Sequence, residues 1–167
     1  TATTLPAKMG ILLKKYDVPV IMIETFGAYG RNPLYNELQI RRNVPITAKA
    51  TLLYTRGEIR EKTVRELSEG VQAAFGFDNF RWQQKNKIKI DEPFRADGLH
   101  RILYKCPHRG AEGKTEGKGT LLTCHSCGKI YELTETGFMQ AEDGNTEFSH
   151  IPDWYDWQRQ QVRKALE

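Results

Sequence analysis

Cysteine and histidine carry the chemistry that is easiest to see in this chain. Cys106-Pro107-His108-Arg109-Gly110 is followed by Cys124-His125-Ser126-Cys127-Gly128. The second block is a Cys-x-x-Cys-Gly knuckle, and the first repeats it with Arg109 where the second cysteine belongs. Two such knuckles joined by a short hairpin form a zinc ribbon, a small module folded around a tetrahedral metal. A structural zinc site takes four donors, preferably thiolate or imidazole. Cys106, Cys124 and Cys127 supply three. Arg109 is permanently cationic and cannot donate. His108 stands nearest the vacant corner and is taken as the fourth ligand, with His125 next and His100 and His150 further off in sequence. Two other readings stay open: a three-cysteine site closed by water, and a metal-free hairpin packed on Leu103, Leu121, Leu122, Ile130 and Tyr131.

A second candidate site is the loop Gly27-Ala28-Tyr29-Gly30-Arg31 after an apolar run. Ligands of open α/β sheets gather beyond strand ends. Backbone amides at Gly27 and Gly30 with the Arg31 guanidinium suit an anionic substrate such as CoA or glycerol phosphate. The spacing is not a dinucleotide fingerprint, and a plain turn with Arg31 in solvent fits equally. Arg41-Arg42 with Lys49 offers a contact to a membrane surface, against the commoner reading of a solvated basic face.

The elements that would position these residues follow from patterning. Residues 5–16 read as a helix with Leu5, Met9, Leu12 and Leu13 on one stripe, ended by Asp17. Val18-Pro19-Val20-Ile21-Met22-Ile23 is a continuous apolar run, expected to be a strand buried on both faces of a parallel sheet. Residues 45–54 read as a second strand. Thr63-Val64-Arg65-Glu66 is a capping box opening a helix with Val64, Leu67, Val71, Ala74 and Phe75 on its apolar stripe. Residues 78–87 form a short helix anchored by Phe77, Phe80 and Trp82. Strands flank both knuckles, and residues 152–166 close the chain as a helix whose Trp154, Tyr155 and Trp157 pack on the core. The expected fold class is α/β, a sheet-and-helix layer followed by a small β-hairpin zinc-ribbon-like module and a terminal helix. The expected divisions are 1–90 for the α/β part, 91–100 for a linker, 101–134 for the ribbon and 135–167 for the closing segment.

The chain has 167 residues, enough for one medium domain or two small ones. Its three cysteines do not make a closed disulfide set, which suits a reducing cytoplasm. No apolar run reaches membrane-spanning length. The net charge of +4 splits unevenly: residues 1–90 hold 15 Lys/Arg against 8 Asp/Glu, and residues 91–167 hold 10 against 13. The acidic balance of the ribbon half argues against nucleic acid. The opening Thr1-Ala2-Thr3-Thr4, without an initiator Met, reads as a piece of a longer protein.

Several stretches together resemble the C-terminal part of bacterial phospholipid/glycerol acyltransferases of the 1-acylglycerol-3-phosphate type, in a subgroup with a zinc-ribbon tail. Val18-Pro19-Val20-Ile21-Met22-Ile23 is similar to the family's Val-Pro-apolar-apolar-Pro strand, with Met22 where the second Pro usually stands. Asp78-Asn79-Phe80-Arg81-Trp82-Gln83, the two knuckles and Thr146-Glu147-Phe148-Ser149-His150-Ile151-Pro152-Asp153-Trp154-Tyr155 resemble the subgroup's linker, tail and closing segment. The resemblance implies an acyltransferase-type layer over residues 1–90 and acyl transfer from acyl-CoA or acyl carrier protein to a lysophospholipid. It also implies peripheral contact with the inner membrane surface. The family's base is the histidine of a His-x4-Asp motif, needed because a hydroxyl is a poor nucleophile until deprotonated. No histidine precedes His100, and neither His100 nor His150 begins such a motif. No catalytic residue carries over. The alternative is a non-catalytic zinc-ribbon module that binds nucleic acid or protein.

Overall fold

The computed structural model describes residues 5–6, 8–36 and 40–167. The chain folds as two compact units, each built from separated stretches: the residues up to Phe26 with Ile46–Asp78, and Gly27–Pro45 with Asn79–Glu167. Both mix helices with a small antiparallel sheet. The segment 91–100, expected as a linker, lies inside the second unit. Ala7, within the expected first helix, and the opening Thr1-Ala2-Thr3-Thr4 lie outside the described residues.

In the first unit, helix α1 (Met9–Tyr16) packs on α4 (Val64–Ala74). The approach is close enough to require glycine: a Cβ at Gly10 would lie 2.1 Å from the Val64 carbonyl oxygen. The Gly10 N–H donates to Ser68 Oγ at 2.9 Å. Asp17 ends α1 in the left-handed region at φ 49, its N–H closing on the Leu13 carbonyl. The expected capping box at Thr63 and Glu66 is present, and an identical box at Thr55 and Glu58 opens the short helix α3 (Arg56–Glu61). Each satisfies two N–H groups that a helix start leaves bare. Tyr54, Ile59, Leu67 and Val71 form this unit's core.

The strand expectation for residues 18–23 needs correction. Strand β1 (Val20–Phe26) pairs antiparallel with β2 (Thr47–Tyr54) in a two-stranded sheet, and its residues alternate between half-buried and exposed. Ile21 and Ile23 are 63% and 66% exposed, and Leu52, opposite Ile21, is 55% exposed. An unbroken apolar run looks the same in sequence whether or not helices cover it. The basic surface expected at Arg41-Arg42 needs correction too, because Arg42 is buried.

The second unit holds α2 (Ala28–Arg31), α5 (Asn79–Lys85), a 3-10 turn (Leu99–Arg101), and a meander of β3 (Thr115–Lys118), β4 (Leu121–Cys124), β5 (Ile130–Leu133) and β6 (Met139–Ala141). It closes with α6 (Ile151–Leu166). Leu99, Leu103, Leu122, Tyr131, Met139, Ile151 and Trp154 are buried in one cluster, with Tyr155 and Trp157 packed against it. Helix α6 does more than cover this core. Trp154 Nε1 donates to the Lys105 carbonyl at 2.9 Å. The fully buried Gln158 accepts from the Lys105 N–H and donates to the Ile102 carbonyl, both at 2.9 Å. One helix thus satisfies the buried backbone that leads directly into Cys106.

Candidate metal centre

The two knuckles have the same backbone although their sequences differ. In the first, the Gly110 N–H donates to the Cys106 carbonyl at 2.8 Å and the Cys106 N–H to the Ala111 carbonyl at 2.9 Å. In the second, Gly128 to Cys124 is 2.8 Å and Cys124 to Lys129 is 2.9 Å. Gly110 and Gly128 adopt φ of +71 and +73, with nothing within 4 Å of where a Cβ would stand. Glycine is needed there for its left-handed backbone, not for space.

These turns bring Cys106, Cys124 and Cys127 together, with their sulfurs all within 4.8 Å of one another. Cys106 and Cys124 are buried and Cys127 is half-buried. Cys106 Sγ lies 3.7 Å from Cys127 Sγ. That is far longer than a disulfide, at about 2.05 Å. It matches the edge of a tetrahedron with metal–sulfur bonds of about 2.3 Å, which is about 3.8 Å.

The buried thiols differ in how readily they ionise. Burial pushes the Cys106 thiol up to about 12, against opposing N–H donors from Arg109 and His108. Burial raises Cys124 as well, but N–H groups of Ser126 and Cys127 and the neighbouring thiols outweigh it and hold Cys124 below its ordinary value. Arg109 offers no ligand atom, yet its backbone N–H serves the sulfur of Cys106. The knuckle therefore keeps its form with three cysteines.

His108 does not join the three sulfurs. Its Nδ1 pairs with Glu147 Oε1 at 3.1 Å, and the ring is half exposed. His125 pairs with Glu116 at 2.8 Å on the surface. His100 Nδ1 accepts from the Gly117 N–H at 3.1 Å, and His150 is the N-cap of α6. Among the described residues, the three cysteines are the group placed to hold a metal ion, and thiolate donors suit zinc.

A polar network beside the thiols was not foreseen. Tyr131 donates to Glu147 Oε2 at 2.6 Å, and burial followed by this carboxylate holds the phenol well above its ordinary range. Lys129 Nζ is almost fully buried, 2.7 Å from Asp143 Oδ2 and 3.7 Å from Glu147 Oε1, and donates to the Asn145 carbonyl at 2.7 Å. The available signal was Lys129 itself, a cation next to the second knuckle, where three thiolates would concentrate negative charge.

The loop site is arranged differently from expectation. Gly27 is left-handed at φ +79 and begins α2, and a Cβ there would lie 2.2 Å from the Pro45 carbonyl oxygen. Gly27 and Gly30 line a cleft of the second unit. Arg31 Nη1 donates to the Val44 carbonyl at 3.2 Å, while the Arg42 N–H returns to the Arg31 carbonyl at 2.9 Å. Arg31 therefore helps close its own loop, and Arg42 and Arg95 are the arginines that line the cleft with Gly27 and Gly30.

No helix among the described residues is long and apolar enough to cross a membrane. Comparisons with protein-family models, curated proteins and solved structures found no match.

Proposed function

We propose that Cys106, Cys124 and Cys127 hold a structural zinc ion in a zinc-ribbon module. We further propose that the chain is the non-catalytic C-terminal part of a lysophospholipid acyltransferase. The observation that carries the metal reading is the 3.7 Å separation of the Cys106 and Cys127 sulfurs. A bound zinc would supply cross-linking energy. The chain's own residues bury the sulfurs, orient them through backbone N–H donors and seat the first knuckle through Trp154 and Gln158. A water or another exogenous donor closes the fourth position, because Arg109 cannot ligate and His108 is paired with Glu147.

Cobalt substitution tests the metal reading. Stoichiometric Co²⁺ should give the intense visible bands of tetrahedral thiolate coordination, lost in Cys124→Ser. The weak spectrum of an octahedral aqua ion would contradict it. The acyltransferase reading rests on the sequence resemblance alone. Reading the coding DNA upstream of Thr1 tests it. An in-frame His-x4-Asp would support it, and an immediate stop codon or an unrelated domain would overturn it. The chain alone, given acyl-CoA and lysophospholipid, should show no acyl transfer.

The second reading is a zinc-ribbon module for nucleic acid or protein, favoured by the basic balance of residues 1–90. Salt-sensitive binding to random DNA or RNA would support it.

A further inference from the structure

The cleft that Gly27 and Gly30 line lies within the second unit; its interior is narrow, about 20 Å³ of room for the centre of a water, and it opens into a shallow mouth that brings the space in and over it to about 470 Å³, open solvent included. Tyr29, Val44, Phe80, Trp82 and Ile90 make its walls mainly apolar, and Arg42, Arg95 and Asn79 also line it. Arg42 is only 4% exposed. Its Nη2 donates to the Arg95 carbonyl at 2.6 Å and its Nη1 to the Tyr35 hydroxyl at 3.3 Å, while its Nε has no partner. The neighbouring Arg95, also buried, has a carboxylate, Glu132, at 2.9 Å. Among the described residues Arg42 has no carboxylate partner, so its charge rests on carbonyl and hydroxyl oxygens and on the face of the Tyr35 ring, 5.3 Å from the guanidinium carbon. Asn79 adds a buried side-chain oxygen that also has no partner.

A buried guanidinium without a counter-ion is costly, and an orphaned donor and acceptor lining one apolar cleft call for an explanation. We infer that this cleft binds a small amphiphilic anion. Its carboxylate or phosphate head neutralises Arg42 and accepts from Nε, and its flat apolar body lies among Tyr29, Phe80 and Trp82. A hydroxyl or N–H on the same ligand satisfies Asn79 Oδ1. Gly30 matters because it leaves the wall low: a Cβ there would come within 3.5 Å of Ile90 Cδ1 and 3.7 Å of Val44 Cγ1, ordinary contact that narrows the cleft without strain. The inference is independent of the metal and of the acyltransferase reading.

Two-dimensional NMR of the full chain, titrated with phenylacetate, phenyl phosphate and benzyl alcohol, tests it. At least one anion should shift the Gly30 amide and the Trp82 indole resonances saturably, and the tighter of the two identifies the head group. Benzyl alcohol should bind about tenfold more weakly or worse, and Arg42→Gln should weaken the anion by about tenfold or more. Gly30→Ala should keep the fold and also weaken binding, so the question stays answerable if Arg42→Gln does not fold. The inference is overturned if benzyl alcohol binds as tightly as both anions, if a folded Arg42→Gln binds unchanged, or if neither anion saturates these resonances.

Discussion

The two units hold their shapes by different means. The first unit relies on features local in sequence: two capping boxes, a left-handed helix end at Asp17 and a small core, with an apolar strand face left in water. The second unit relies on contacts distant in sequence. Helix α6 reaches back to the backbone before Cys106, and three sulfurs from two turns meet at one point. Local features give modest, separable increments of stability, whereas a shared core and a shared metal fail together. The contrast predicts that damage to the first unit is graded and damage to the second is cooperative.

The largest expected effect comes from removing the proposed zinc. A strong zinc chelator should lower the melting temperature of the second unit by roughly 10 °C or more, because binding energy at a structural zinc site is folding energy. Tertiary signals from Trp154 and Trp157 should vanish with it, while amide signals of α4 persist. Simultaneous loss of both units would break the comparison.

Trp154→Ala should cost about 3–5 kcal/mol, by cavity formation and by stripping the Lys105 carbonyl of its donor. Denaturant unfolding followed in the second unit measures it. In the first unit, Thr63→Ala should cost about 1 kcal/mol through one lost cap. Amide exchange should speed up in the first turn of α4 and stay unchanged in α6.

The smallest effect sharpens the contrast through pH. Hydrogen bonds from Arg60 and Arg56 hold the Asp17 carboxyl at about 2, below its ordinary value of 3.8. A carboxylate with a lowered folded value stabilises above its unfolded value, and that contribution is lost as pH falls from about 4 through about 2. The first unit should therefore weaken over this acid window. Asp17→Asn should flatten that part of the profile, because asparagine keeps the left-handed backbone but not the charge. An unaltered acid profile in Asp17→Asn would remove the ion pair from the account.

What was legible in the sequence follows the same division. Capping boxes and knuckles are written in adjacent residues, so Thr63 with Glu66 and the two Cys-initiated turns could be read directly. The burial of β1 could not, because an apolar run does not state what covers it. The cleft shows why the nearest residue can mislead. Arg31 follows Gly30 in sequence, but the chain turns back at the Arg42 N–H to Arg31 carbonyl bond and places the later arginine in the cleft. His108 stands nearest the vacant corner in sequence, but Glu147, distant in sequence, pairs with its ring.

The proposal that three thiolates hold a zinc ion underlies the cooperative behaviour expected of the second unit. Native mass spectrometry of the full chain, with elemental analysis of the same sample, tests it most directly. One zinc per chain is expected, retained at neutral pH and absent from Cys127→Ser. A folded chain whose second unit melts cooperatively without any bound metal would contradict it.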